Sequence, residues 1–183
     1  LTYSHARNEI ISMDEPELKT AYRKREGNPI SQYFGLIAEG FVTQADLDNP
    51  DFPVSTFGTV KVGDLKYKDA NGDGFIDDRD ESRIGYSDIP ENTYALSLGV
   101  NYKGWGFSVM FQGVDHVSRY YDAEAMYAFV SGGKVKEHHL ERWNPAQSEA
   151  YNLQHANYPL LHYDNYGDHN QRTNSFFLKN GSF

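Results

Sequence analysis

The chain has 183 residues, a net charge of −9 and 17 Lys and Arg residues scattered along its length, so no basic stripe is present to hold nucleic acid. It contains no Cys, which removes thiolate metal sites, disulfides and a thiol nucleophile. No apolar run reaches the roughly 18 residues that a membrane-crossing helix needs, although a transmembrane strand, alternating apolar and polar, leaves no such trace.

The chain opens on Leu1-Thr2-Tyr3, with neither an initiator Met nor a charged-then-apolar leader, and is expected to be a piece of a longer protein. Residues 1–11 read as the end of a strand, with Leu1, Tyr3 and His5 on one face. A polar connection with Pro16, Gly27 and Pro29 follows, and 30–42 is aromatic, Gly-punctuated and extended. Residues 43–93 are loop-like, rich in Asp, Asn, Pro and Gly. Two strands occupy 94–112. A second long polar segment, 113–175, contains one short helix over 135–143, and another strand starts within 174–183. Structureless connections above about 15 residues are uncommon in compact soluble folds, whereas membrane barrels alternate tight turns with long loops. The seven His residues share no metal-ligand spacing, and the adjacent His138 and His139 are expected to be solvated.

The hairpin is the clearest element. Tyr94, Leu96, Leu98, Val100 and Tyr102 share one face of the first strand, and Trp105, Phe107, Val109 and Phe111 share one face of the second. Lys103 and Gly104 lie between them, and Gly104 supplies the positive φ of a tight turn. A two-residue turn sets Tyr102 opposite Trp105, Val100 opposite Phe107, Leu98 opposite Val109 and Leu96 opposite Phe111, apolar with apolar throughout. The other face is small and mostly polar: Ser97, Gly99, Asn101, Gly106, Ser108 and Gln112, with Met110 the exception. Nine residues from 94 to 102 match the roughly 9–11 that a tilted strand needs to cross a bilayer, and aromatics stand at both ends. A soluble sheet with one buried face would alternate equally well.

Residues 69–80, Asp-Ala-Asn-Gly-Asp-Gly-Phe-Ile-Asp-Asp-Arg-Asp, fit a twelve-residue calcium loop at its positions 1, 3, 5, 6, 8 and 9. Asp69, Asn71 and Asp73 each offer a side-chain oxygen, Gly74 makes the sharp turn, and Phe75 offers its carbonyl. Ile76 is the apolar anchor, Asp77 binds directly or through water, and Asp80 closes the site in place of the usual longer Glu. Calcium suits such a set because it is a hard cation that takes about 6–8 oxygens in a tolerant geometry. The competing reading is a solvated turn rich in Asx residues. No helical pattern flanks the loop, so a lone structural site is expected in preference to a helix-loop-helix sensor.

Five segments recur in order: Tyr33-Phe34-Gly35-Leu36-Ile37-Ala38-Glu39-Gly40-Phe41; Val62-Gly63-Asp64-Leu65-Lys66-Tyr67-Lys68-Asp69 running into the acidic loop; Ile84-Gly85 and Phe111-Gln112-Gly113-Val114 bounding the hairpin; Trp143-Asn144-Pro145; and Phe177-Leu178-Lys179-Asn180-Gly181-Ser182-Phe183. In this order, from about residue 30 to the end, the chain resembles the C-terminal region of the SusC/RagA family of TonB-dependent outer-membrane transporters. The resemblance implies an all-β antiparallel fold, the C-terminal strands of a 22-stranded transmembrane barrel with long extracellular loops. On that reading 1–183 is the C-terminal part of the barrel, 43–93 an extracellular loop carrying the calcium loop 69–80, 94–112 a transmembrane hairpin and 113–175 a second extracellular loop. It implies active import of glycans or oligopeptides, with a SusD-like surface lipoprotein as partner and TonB engaged through an N-terminal region. It also implies contact with outer-membrane lipid, placement as a multi-pass barrel in a Gram-negative outer membrane, and a tight turn at Lys103-Gly104 facing the periplasm.

The alternative is a secreted, calcium-stabilised β-sheet carbohydrate-binding module that stacks sugars on exposed rings. An enzyme is not expected, because no nucleophile elbow or zinc-binding helix is present. Substrate-binding residues stay unassigned. Asn101, Ser108 and Gln112 line the polar face by default, and Tyr120, Tyr121, Tyr127 and Trp143 either meet a sugar or pack their own loop.

Overall fold

A computed structural model of the chain describes residues 1–16, 21–121, 126–163 and 169–181. Strands dominate: β1 (Thr2–His5), β2 (Gln32–Gly35), β3 (Ala38–Phe41), β4 (Val54–Ser55), β5 (Leu65–Tyr67), β6 (Phe75–Ile76) and β7 (Ser82–Ser87) come first. The long pair β8 (Asn92–Tyr102) and β9 (Trp105–Asp115) follows, then β10 (Val117–Tyr120) and β11 (Leu178–Gly181). Among the described residues two short helices are present, α1 (Gln44–Leu47) and α2 (Glu149–His155), each begun by a hydroxyl residue, Thr43 or Ser148, whose side chain caps the first turn. Antiparallel pairing joins β1 to β8, β8 to β9, β3 to β5 and β10 to β11. The pair β4–β6 is parallel, and β2 lies beside β7.

The chain divides into two compact units. One comprises Leu1–Tyr33, Gly85–Tyr120 and Leu178–Phe183; the other comprises Phe34–Ile84 and Tyr121–Phe177.

The first unit is built on the sheet β1-β8-β9. The β8–β9 register is the one the turn length requires: Tyr102 faces Trp105, Val100 faces Phe107, Leu98 faces Val109 and Leu96 faces Phe111. Both turn residues adopt positive φ, Lys103 at 48° and Gly104 at 87°. That is the primed turn whose twist matches a right-handed hairpin, with Lys103 taking a conformation usually left to Asn or Gly. The strands run to eleven residues each, beyond the 94–112 that alternation marks. Pairing extends past the alternating pattern because main-chain hydrogen bonds do not depend on it.

The second unit takes in most of the two segments read as long loops, 43–93 and 113–175. Segments 43–84 and 126–163 fold together around an aromatic core. Phe41 meets Trp143 and Phe176 edge-on at 5.6 and 5.8 Å, and Phe177 meets Tyr127 and Tyr158 at 5.1 and 5.7 Å. Leu36, Val42, Leu65 and Ile76 are buried among the aliphatic residues. A few large rings, each removing about 150–250 Å² from water, build a core that hydropathy averages do not reveal. The helix expected over 135–143 is a 3₁₀ turn at Glu137–Glu141, and α2 lies in a stretch read as loop.

Gly63 has φ 94°, and a Cβ there would stand 2.4 Å from the Trp143 ring. Gly63→Ala is therefore expected to cost about 2–4 kcal/mol, combining overpacking with left-handed backbone strain. Urea unfolding followed by near-ultraviolet circular dichroism measures it, and an unchanged midpoint contradicts this packing.

Candidate functional site

The acidic loop hangs from β5, where Leu65 and Tyr67 are buried, and leads into β6, where Ile76 is buried as an apolar anchor would be. The Tyr67 hydroxyl donates to the His169 carbonyl at 2.9 Å, and the Val54 and Thr56 amides donate to the Gly74 and Ile76 carbonyls. The strand entering the loop is thereby tied to His169, and the middle of the loop to β4 and Thr56.

Within the loop the short acidic side chains fold back on the main chain. The two oxygens of Asp69 accept from the Gly72 and Gly74 amides at 2.7 and 2.8 Å. Asn71 Oδ1 accepts from Asp73 N at 2.8 Å, and Asp73 Oδ1 accepts from Phe75 N at 3.0 Å. Gly72 and Gly74 supply the positive φ values, 73° and 80°, that this winding needs. Asp69, Asn71 and Asp73 thus turn their side-chain oxygens onto the main chain of their own loop.

The second half is arranged otherwise. Asp77 caps the 3₁₀ turn at Asp78–Asp80 and takes Arg79: Nε lies 2.8 Å and Nη2 2.6 Å from its Oδ2. The same Nη2 lies 2.8 Å from Asp73 Oδ2. The bond to Asp77 and the charges of Asp73, Asp77 and Asp80 hold the Arg79 pKa above its ordinary value. Asp80 is 1% exposed, and its oxygens accept from Ala70 N at 2.9 Å and Asp77 N at 2.8 Å. It joins the two ends of the loop. Among the described residues no three acidic or histidine side chains converge closely enough to hold a metal ion. In this arrangement the donor set does not fit calcium. Asp77 is engaged by a guanidinium and Asp80 by the main chain.

Beneath the loop lies a polar network that spacing in the sequence gives no means of finding. Asp64, 1% exposed, accepts from Lys61 N at 2.7 Å, Asn170 Nδ2 at 2.8 Å and His162 Nε2 at 2.6 Å. His169 Nε2 donates to the Leu65 carbonyl at 2.6 Å, while Ser55 donates to His169 Nδ1 at 2.7 Å. The expectation of solvated histidines fails for His139, which is fully buried. Its Nε2 donates to the Met126 carbonyl at 2.8 Å and its Nδ1 accepts from Lys136 N at 2.8 Å. Burial is the main cause that pushes its pKa down, with the nearby positive charges of His138, Lys136 and Arg142 adding to it. Protonation would set Nδ1–H against the Lys136 N–H.

The residues considered for sugar contact separate. Tyr127 and Trp143 are buried in the core, while Tyr121 is exposed. On the hairpin, Asn101, Ser108 and Gln112 are exposed on the polar face. The opposite face is uncovered as well: Leu98 is 52%, Phe107 64% and Trp105 83% exposed.

No protein-family model matches the chain, and no curated protein matches it.

Two outcomes are expected. Asp80→Ala leaves two amides of the loop without their acceptor and should lower stability by about 2–3 kcal/mol. The partly exposed Asp78→Ala should cost less than about 1 kcal/mol. Thermal unfolding of the two variants separates them. Because the folded pKa of His139 lies below its unfolded value, burying the neutral ring contributes stability that is present above about pH 6.5 and lost as pH falls through the folded value. His139→Gln, which can still donate and accept, should flatten that acid limb in urea midpoints taken across the pH range.

Proposed function

We propose that the chain forms part of the wall and the outer loops of an outer-membrane β-barrel importer of the SusC/RagA type. The observation that carries this reading is the uncovered apolar face of β8–β9. Leu96, Leu98, Val100, Phe107 and Phe111 are exposed, and Tyr94, Tyr102 and Trp105 are exposed towards the ends. In a soluble protein such a face is buried against a second layer, and large contiguous apolar patches mark a partner or a membrane. Hydrocarbon supplies the missing layer. An eleven-residue strand at about 3.4 Å per residue spans roughly 37 Å. Tilted by about 45°, it covers a depth of roughly 26 Å, close to the roughly 25 Å apolar band of such barrels.

On this reading the turn at Lys103-Gly104 faces the periplasm, and residues 43–93 and 113–175 lie outside the cell. There these stitched loops form a firm outer surface for a SusD-like lipoprotein and for glycan or oligopeptide cargo. Energy would come from TonB through an N-terminal region. The polar face of the hairpin, with Ser97, Gly99 and Ser108, faces the water-filled interior. A secreted carbohydrate-binding β module is the other reading. The self-contained core of the second unit favours it, and the bare hairpin weighs against it.

Reconstitution of the protein into vesicles of brominated lipid tests the proposal. Trp105 fluorescence should be quenched, while buried Trp143 contributes an unquenched background. Leu98→Arg should impair insertion by about 2–4 kcal/mol, and Ser97→Arg should leave it nearly unchanged. A chain that stays in the aqueous phase with Trp105 unquenched refutes the importer.

A further inference from the structure

We propose that Arg79 is the resident cation of the acidic loop, held covalently in the role that the spacing of residues 69–80 suggests for calcium. The inference concerns the second unit alone and holds whether or not the hairpin lies in a membrane. Five Asp residues fall within 69–80, and Arg79 is the single basic residue among them. Each carboxylate has its own answer. Asp69 and Asp80 take main-chain amides, and Asp78 takes Arg172 at 2.5 Å. That leaves Asp73 and Asp77, and the Arg79 guanidinium bridges them at 2.8 and 2.6 Å.

Arginine suits this position for reasons of shape and charge. Its planar fork presents several donors at once, so Nε and Nη2 engage Asp77 while Nη2 also reaches Asp73. It stays charged at every physiological pH, and it cannot diffuse away. Lone loops of this spacing typically hold calcium at about 0.1–1 mM, weak enough for a tethered competitor to matter. An ion seeking the oxygens of Asp73 and Asp77 meets them already engaged. The loop should therefore keep its shape without a divalent ion, and Arg79→Gln should make that shape depend on calcium.

Amide hydrogen exchange of residues 69–80 in the full chain, in EDTA and in excess calcium, reads this directly. Wild-type protection should be equal in the two conditions. In Arg79→Gln, exchange in EDTA should rise about three- to tenfold, the scale that one or two partly exposed ion pairs imply. Arg79→Lys should fall between, and Arg83→Gln, on the exposed part of β7, should match wild type. Calcium that restores protection to Arg79→Gln shows that the ion and the guanidinium fill one role. A loosened loop that calcium does not restore overturns the proposal, because the guanidinium then stands in for no divalent ion. Wild-type protection that falls in EDTA overturns the proposal in favour of a bound ion, and so does full protection of Arg79→Gln in EDTA. If Arg79→Gln does not fold, the triple variant D73N/D77N/R79Q, which removes both charges with the guanidinium, should fold and be protected in EDTA. Failure of that variant also overturns it.

Discussion

A buried carboxylate must be answered by donors, because leaving it unpaired in the interior costs several kcal/mol. Asp64 imposes that constraint on the second unit. Its oxygens take a local amide from Lys61 and two side chains from the far end of the chain, Asn170 and His162. Meeting the requirement draws Leu160, His162 and Asn170 against 61–65, and the neighbouring main-chain bonds follow: Leu160 N to the Gly63 carbonyl, Leu65 N to Asn170. Gly63 can then lie against the face of Trp143, and β5 is held where it feeds the acidic loop. The aromatic core supplies much of the burial. The polar network decides which segments share it.

The two units solve opposite problems. The second buries polar groups and pairs most of them, Ser82 Oγ being an exception among the described residues. The first leaves its largest apolar residues bare along eleven paired positions and keeps small polar residues on the other side. Among the described residues most positions on both faces of that hairpin are exposed. Lipid on one side and water on the other would suit such a sheet, and the proposed importer reading rests on it.

The acidic loop lies between these extremes of solvation. Its carboxylates are mostly reachable by water, so screening keeps each ion pair modest. What holds the loop is the number of short side chains that turn back onto amides, with two glycines allowing the chain to wind tightly enough to offer them. A cation is needed only for the charges left over. The guanidinium of Arg79 is near enough to serve.

Local chemistry in the sequence by itself determined the hairpin, its register, its apolar face and the winding of the first half of the acidic loop. A period of two, a two-residue turn and Asx-Gly spacing act over a few residues, so they are written where they operate. The helix α2 escaped the sequence reading because its single cap, Ser148, lies in a stretch whose composition reads as loop. Tertiary structure alone decided that 43–84 and 126–163 share one core, that His139 is buried, and that Asp80 clamps the loop. It also decided that Asp64 finds His162 and Asn170, 98 and 106 residues away. Such pairings depend on which distant donors reach a buried acceptor once the rings have packed, and no local period in the chain records that outcome.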